Sequence, residues 1–227
     1  MQSNSGEFID FMCKAGVLTF GDFVTKSGRP TPYFVNTGRY TMGSQMSALG
    51  AYYAAAIEEH FHGQFDVLFG PAYKGIPLAV SIAEALHREH GLDVPFCFNR
   101  KEAKAHGEGG LLVGHKLRDG DRVLIVEDVT TAGTSIRETV PILRQAADIQ
   151  VAGLIVSVDR MERGREAGRS ALEEVGLEFD MPTRAIVNVD QIVQRLQPEG
   201  DSPFRLTEVD MARIGIYRAE YGVETAL

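Results

Sequence analysis

The chain has 227 residues, 44% of them hydrophobic and 24% charged, which excludes the disordered, collagen-like and disulfide-scaffold classes. With 23 Lys and Arg against 31 Asp and Glu the net charge is −8, so a nucleic acid backbone is not the expected partner and any phosphate site must be local. The polar start of the chain has no basic and apolar leader, and no window approaches the roughly 18 apolar residues of a membrane span, so the expectation is a cytoplasmic protein with no membrane partner.

In chain order, Asn4 and Glu7 stand at capping-box spacing, and Phe8, Ile9, Phe11, Met12 and Ala15 follow on helical spacing, which predicts a short N-terminal helix. The stretch from Val24 to Tyr40, broken by Pro and Gly, predicts short strands and turns. The expected organisation is a single domain over 1–227, with about 1–40 forming a small cap subdomain. Ser44 can cap a helix reaching about His60, with Leu49, Tyr52, Tyr53, Ala56 and Ile57 on one face. Val67 to Phe69 then predicts a strand ending at Gly70, Pro71 to Gly75 a loop, and Leu78, Ile82 and Leu86 the next helix.

The order repeats. Val94 to Phe98 predicts a strand, Lys101 to Gly110 a polar glycine-rich loop, Val123 to Val126 a strand, and Thr134 the start of a helix that Pro141 should kink or shorten. Val151 to Val158, a charged helix around Arg165 to Val175, Ala185 to Val187 and a last helix near Gln191 complete the pattern. Apolar runs alternating with amphipathic helices predict an α/β fold, a parallel sheet flanked by helices, with ligands beyond the carboxyl ends of its strands. Cys13 and Cys97 fall in apolar segments and read as reduced thiols.

The segment Val123 to Thr134 carries the most chemistry. Two carboxylates, Glu127 and Asp128, end an apolar strand, and small residues lead into a helix. Backbone N–H groups from Thr130 to Thr134 can wrap a phosphate at the helix N-terminus. Carboxylates beside a phosphate cradle fit a sugar phosphate, whose hydroxyls donate to the acids, and they also suit positive charge developing at an anomeric carbon. The plainer alternative is a capped turn with solvated acids. Arg100, Lys101, Lys104 and His106, followed by Gly107, Gly109 and Gly110, form a cationic segment suited to a lid over a polyanion, or else a solvated charged loop. Tyr73 and Lys74 lie in a glycine-bounded turn past a strand, a weak signal alone. The fork of Arg160 suits a carboxylate, with pairing to Asp159 or Glu162 at the surface as the alternative.

Val123 to Thr134 closely resembles the phosphoribosyl pyrophosphate signature of the type I phosphoribosyltransferases. Arg100 to Gly110 resembles the catalytic loop of the orotate-specific members, and Lys26 to Phe34 resembles their N-terminal substrate segment. Gly70 to Gly75 and Asp159-Arg160 complete five motifs in order over most of the chain.

The resemblance implies the type I phosphoribosyltransferase fold and a pentosyl transfer from phosphoribosyl pyrophosphate to orotate, giving orotidine 5′-monophosphate and pyrophosphate in pyrimidine synthesis. It implies catalytic roles for Lys104, Lys101, His106, Glu127 and Asp128. Phosphoribosyl pyrophosphate would be bound by Lys26, Tyr73, Lys74, Arg100, Lys101, Lys104, His106, Glu127, Asp128 and the run Val129, Thr130, Thr131, Ala132, Gly133, Thr134 and Ser135. Orotate would be bound by Lys26, Phe34, Val35, Thr131 and Arg160. Mg²⁺ would be held mainly through substrate and water, with no protein metal ligand named, and a homodimer would share its active sites.

Val35 departs from the family, many members having a second aromatic there, and so does Thr31, where Ser is frequent. The rival readings are purine or uracil salvage on the same fold and a non-catalytic regulator. A fused decarboxylase barrel does not fit in the fewer than 70 residues after Arg160.

Overall fold

The computed structural model describes residues 5–25, 28–102, 111–129, 133–165 and 168–223. Eight strands and seven helices, with one 3₁₀ turn at Thr37–Arg39, alternate among the described residues. A two-stranded antiparallel hairpin, β1 (Leu18–Val24) and β2 (Pro30–Val35), stands apart from a six-stranded sheet. That sheet comprises β3 (Val67–Gly70), β4 (Phe96–Asn99), β5 (Leu112–Gly114), β6 (Arg122–Val126), β7 (Gln150–Asp159) and β8 (Thr183–Asn188), in the order β5-β4-β3-β6-β7-β8. All its pairings are parallel except β5 on β4.

The alternation of β6 explains how the sheet is buried on both faces. Successive strand residues point to opposite sides. Leu124 and Val126 join the core under α1 (Ser5–Lys14), α2 (Gly43–Phe61), α3 (Gly75–His90) and α6 (Val189–Leu196). Val123 and Ile125 join the core under α4 (Thr134–Ala146) and α5 (Ala171–Phe179). All four side chains are fully buried, and each such burial stabilises the fold by about 1.5–3 kcal/mol.

Several sequence expectations shift. The antiparallel edge strand β5 was not expected, so the sheet is mostly rather than wholly parallel. Pro141 lies inside α4, which runs on past it to Ala146, and the residue is exposed. The charged helix begins at Ala171, not near Arg165, because Ser170 and Glu173 form a capping box there. The helix near Gln191 is not the last, since α7 (Glu208–Tyr221) follows, capped by Thr207 and Asp210. The N-terminal helix is present, and Asn4 of its expected capping box lies outside the described residues. Phe8, Ile9 and Met12 of that helix pack into the main core. Cys13 and Cys97 are free thiols whose pKa burial pushes up to about 12.

Candidate active site

Glu127 and Asp128 extend the alternation of β6 beyond its last residue, and their side chains follow it to opposite sides. Glu127 turns to the α4 side, where Ser135 Oγ donates to its Oε2. Asp128 turns to the α3 and hairpin side, where Lys74 Nζ lies 2.9 Å from Oδ2 and Thr37 Oγ1 donates to the same oxygen. The backbone beneath them is pinned. Tyr53 Oη donates to the Glu127 carbonyl at 2.7 Å, and Ser157 donates to the Asp128 carbonyl through both N (2.9 Å) and Oγ.

The two acids differ in charge behaviour. Burial pushes the Glu127 carboxyl up to about 7, the neighbouring Asp128 charge adds to this, and the Ser135 hydrogen bond offsets only part of it. Burial also acts to raise Asp128, but hydrogen bonds from Thr37 and Lys74 and the Lys74 charge outweigh it and hold that carboxyl below its ordinary value. A cavity of about 130 Å³ lies against Asp128, lined also by Thr37, Tyr40, Tyr53, Lys74 and Ser157 among others.

Lys74 arrives from the turn between β3 and α3. The ends of this turn touch: a Cβ added to Gly70 would lie 2.0 Å from the Gly75 carbonyl oxygen, so close approach, rather than unusual dihedrals, demands glycine here. Asn99 Oδ1 accepts from Ala72 N–H at 2.8 Å and ties the turn to the end of β4, and the Ala72–Tyr73 peptide is cis. Tyr73 is exposed.

At the start of α4, Gly133 has φ +68°, in the left-handed region, and a Cβ there would meet Val175 Cγ2 at 2.2 Å. Thr134 and Ser135 then form the first turn of the helix, and the Ser135 contact to Glu127 puts this helix start at the acids' end of the sheet, where a helix N-terminus favours an anion.

Val129 follows directly, its N–H bonded to Asp128 Oδ1 at 2.8 Å. Phe34 and Val35 close β2, Phe34 stacking on Phe23 at 5.6 Å between ring centres. Arg160, just past β7, is buried, not at the surface, and is ion-paired with Glu162. Arg100 and Lys101 follow β4, and no hydrogen bond or ion pair joins their side chains to the acid pair among the described residues. Lys26, Lys104, His106, Thr130, Thr131 and Ala132 lie outside the described residues.

The partners Thr37, Tyr53, Asn99 and Ser157 were not singled out from the sequence; each is a lone polar residue, and only the fold brings it to the strand ends. Among the described residues no three His, Cys, Asp or Glu side chains converge as a metal cluster, and no helix is long and apolar enough to cross a membrane.

Comparison with known proteins agrees with this arrangement. The family described as phosphoribosyl transferase domain matches residues 36–177. An orotate phosphoribosyltransferase from Clostridium beijerinckii is 55% identical over 225 residues, covering 99% of this chain and 100% of that protein. One from Pseudomonas fluorescens is 49% identical, covering 98% and 100%. A solved structure of orotate phosphoribosyltransferase from Francisella tularensis superposes with a TM-score of 0.81 at 36% identity, covering 95% of this chain and 99% of that one.

Proposed function

The chain belongs to the orotate phosphoribosyltransferase family, and on that premise we propose how its residues divide the reaction. It transfers ribose 5-phosphate from phosphoribosyl pyrophosphate to orotate in pyrimidine biosynthesis, forming orotidine 5′-monophosphate and releasing pyrophosphate. The bond from the anomeric carbon to pyrophosphate breaks, a bond to the base nitrogen forms, and positive charge develops on the sugar between the two events.

The observation that supports the assignment best is the Lys74–Asp128 pair, which joins the β3–α3 turn to the acid end of β6. The first turn of α4, with Val129 and the run Thr130 to Ser135, takes the 5-phosphate through backbone N–H groups and hydroxyls. Glu127 and Asp128 accept from the ribose hydroxyls and oppose the charge developing on the sugar. Tyr73 and Lys74 hold the pyrophosphate from one side. Arg100, Lys101, Lys104 and His106 neutralise it as it departs, with Lys104 the principal cation. Orotate lies at the end of β2 beside Phe34 and Val35, with Lys26, Thr131 and Arg160 around it, and the β1–β2 hairpin caps the base.

Mg²⁺ is the proposed cofactor. Asp128 already holds Lys74 and Thr37, and a hydrated Mg²⁺ held mainly through substrate and water would suit such an engaged carboxylate, since this hard cation takes few protein ligands. Bound there, it would spread the negative charge of the diphosphate. The proposed assembly is a homodimer in which the loop 100–110 of one protomer reaches the site of the other.

The test is a base panel. Purified protein with phosphoribosyl pyrophosphate and Mg²⁺ is given orotate, hypoxanthine, adenine or uracil, and pyrophosphate release and the loss of orotate absorbance are followed. Turnover with orotate alone is expected. Equal turnover with a base lacking the ring carboxylate would overturn the role given to Arg160.

A further inference from the structure

Arg160 does not wait for a ligand as a free side chain. Its Nε and Nη2 both lie 2.7 Å from Glu162 Oε1, Nη2 also donates to Thr31 Oγ1 at 3.0 Å, and its guanidinium stands 4.5 Å over the ring of Tyr33. Glu162 is itself held from two further directions. Tyr217 Oη donates to Oε1 at 2.7 Å, and Arg29 Nη2 pairs with Oε2. Arg29 in turn lies 4.8 Å over the ring of Tyr221. Arg160 and Glu162 are 6% and 4% exposed, so the pair is sealed from water that would otherwise loosen it.

We infer that Glu162, braced by Arg29 and Tyr217, is a positioning residue that presets the Arg160 guanidinium for the carboxylate of orotate; the inference rests on the orotate reading of Arg160 given above. Three parts of the chain converge on this one carboxylate: the hairpin through Arg29, the end of β7 through Arg160, and α7 through Tyr217. Arg29 and Tyr217 both hold Glu162, so this carboxylate is not free to turn away from the Arg160 guanidinium. The remaining nitrogen of Arg160, Nη1, has no protein partner among the described residues. Fixing a long cationic side chain before the ligand arrives removes the ordering cost from binding.

The test compares Glu162→Gln, Tyr217→Phe and Arg160→Ala, measuring KM for orotate, KM for phosphoribosyl pyrophosphate, kcat and the thermal midpoint of each. Glu162→Gln is expected to raise the orotate KM by about tenfold or more, as loss of a charge-assisted contact does, with the phosphoribosyl pyrophosphate KM within about twofold. Tyr217→Phe keeps every charge and ring and removes one donor to Glu162; it is expected to raise the orotate KM by about threefold and decides the matter if Glu162→Gln fails to fold. A general loosening of the fold would move both KM values together and overturn the proposal. An orotate KM unchanged or lowered in both variants, while Arg160→Ala raises it, would overturn the positioning role and leave the orotate reading standing. If Arg160→Ala also leaves the orotate KM unchanged, the orotate reading of that residue fails and the proposal falls with it.

Discussion

Replacing Glu127 by Gln removes one titration from the interior, and its effect on stability has a definite sign. The ordinary carboxyl value is 4.5, and burial raises it to about 7 in the folded protein. Because the folded value is the higher one, the stability tied to the protonated form is fully present below pH 4.5 and is lost as pH rises through 7. At 1.36 kcal/mol per unit the whole effect is about 3 kcal/mol, of which about 2 kcal/mol falls between pH 5 and 7. In a chain of this length that corresponds to roughly 4–8 °C in the thermal midpoint. Gln keeps an oxygen for the Asp128 N–H and an amide toward Ser135 Oγ but carries no charge, so it does not titrate. The assay is thermal unfolding of both proteins from pH 5 to 8, where titrations common to the two cancel in the difference. The wild-type midpoint should fall relative to the variant as pH rises. Parallel curves would refute the claim that a buried, protonatable Glu127 sits at the end of β6.

Lys104→Ala should lower turnover by about 10²–10³-fold, the scale on which a single group stabilising transition-state charge acts, with the thermal midpoint unchanged; steady-state turnover equal to wild type would remove the leaving-group role. Gly133→Ala forces a side chain into the left-handed region, costing about 1–2 kcal/mol, and drives its Cβ against Val175. A lowered midpoint and a raised phosphoribosyl pyrophosphate KM are expected, and a variant with neither change would show that α4 does not need this entry.

What was legible in the sequence is what chain-local pattern encodes. Glu127 and Asp128 follow four consecutive apolar residues of a central strand, so their place at its carboxyl end could be read directly, as could the turn at Gly70 to Gly75. Their partners could not. Thr37 and Lys74 are far from Asp128 in sequence, and nothing around either marks the contact until β3 is laid beside β6. Helix α7 buries only Ile214 and Tyr217, too faint an apolar face to outweigh its charged residues, although Thr207 and Asp210 stand at capping-box spacing in the sequence. Strand β5 is too short for a period to show. Arg160 was weighed between a carboxylate ligand and a surface pair with a neighbouring acid. The fold gives a buried pair with Glu162, because Tyr33, Thr31 and Tyr217 close over it from elements distant in sequence.

The net charge of −8 sets a further condition on the site. Both substrates are anions, so the field of the whole protein opposes their approach, but at physiological salt that field fades over about 8 Å. Only charges close to the ligand then decide binding, and Lys74, Arg29 and Arg160 are held by acids in two different arrangements. Lys74 faces Asp128 singly, which keeps the turn closed on the sheet. Arg29 and Arg160 share the one carboxylate of Glu162. In the proposed division of roles, a carboxylate at the base end meets the Arg160 guanidinium already held in place through Glu162. In the same proposed division, a sugar diphosphate draws, beside Lys74, on the N–H groups at the start of α4 and on the cations of the loop after β4, so an acidic chain can bind two anions without a basic surface.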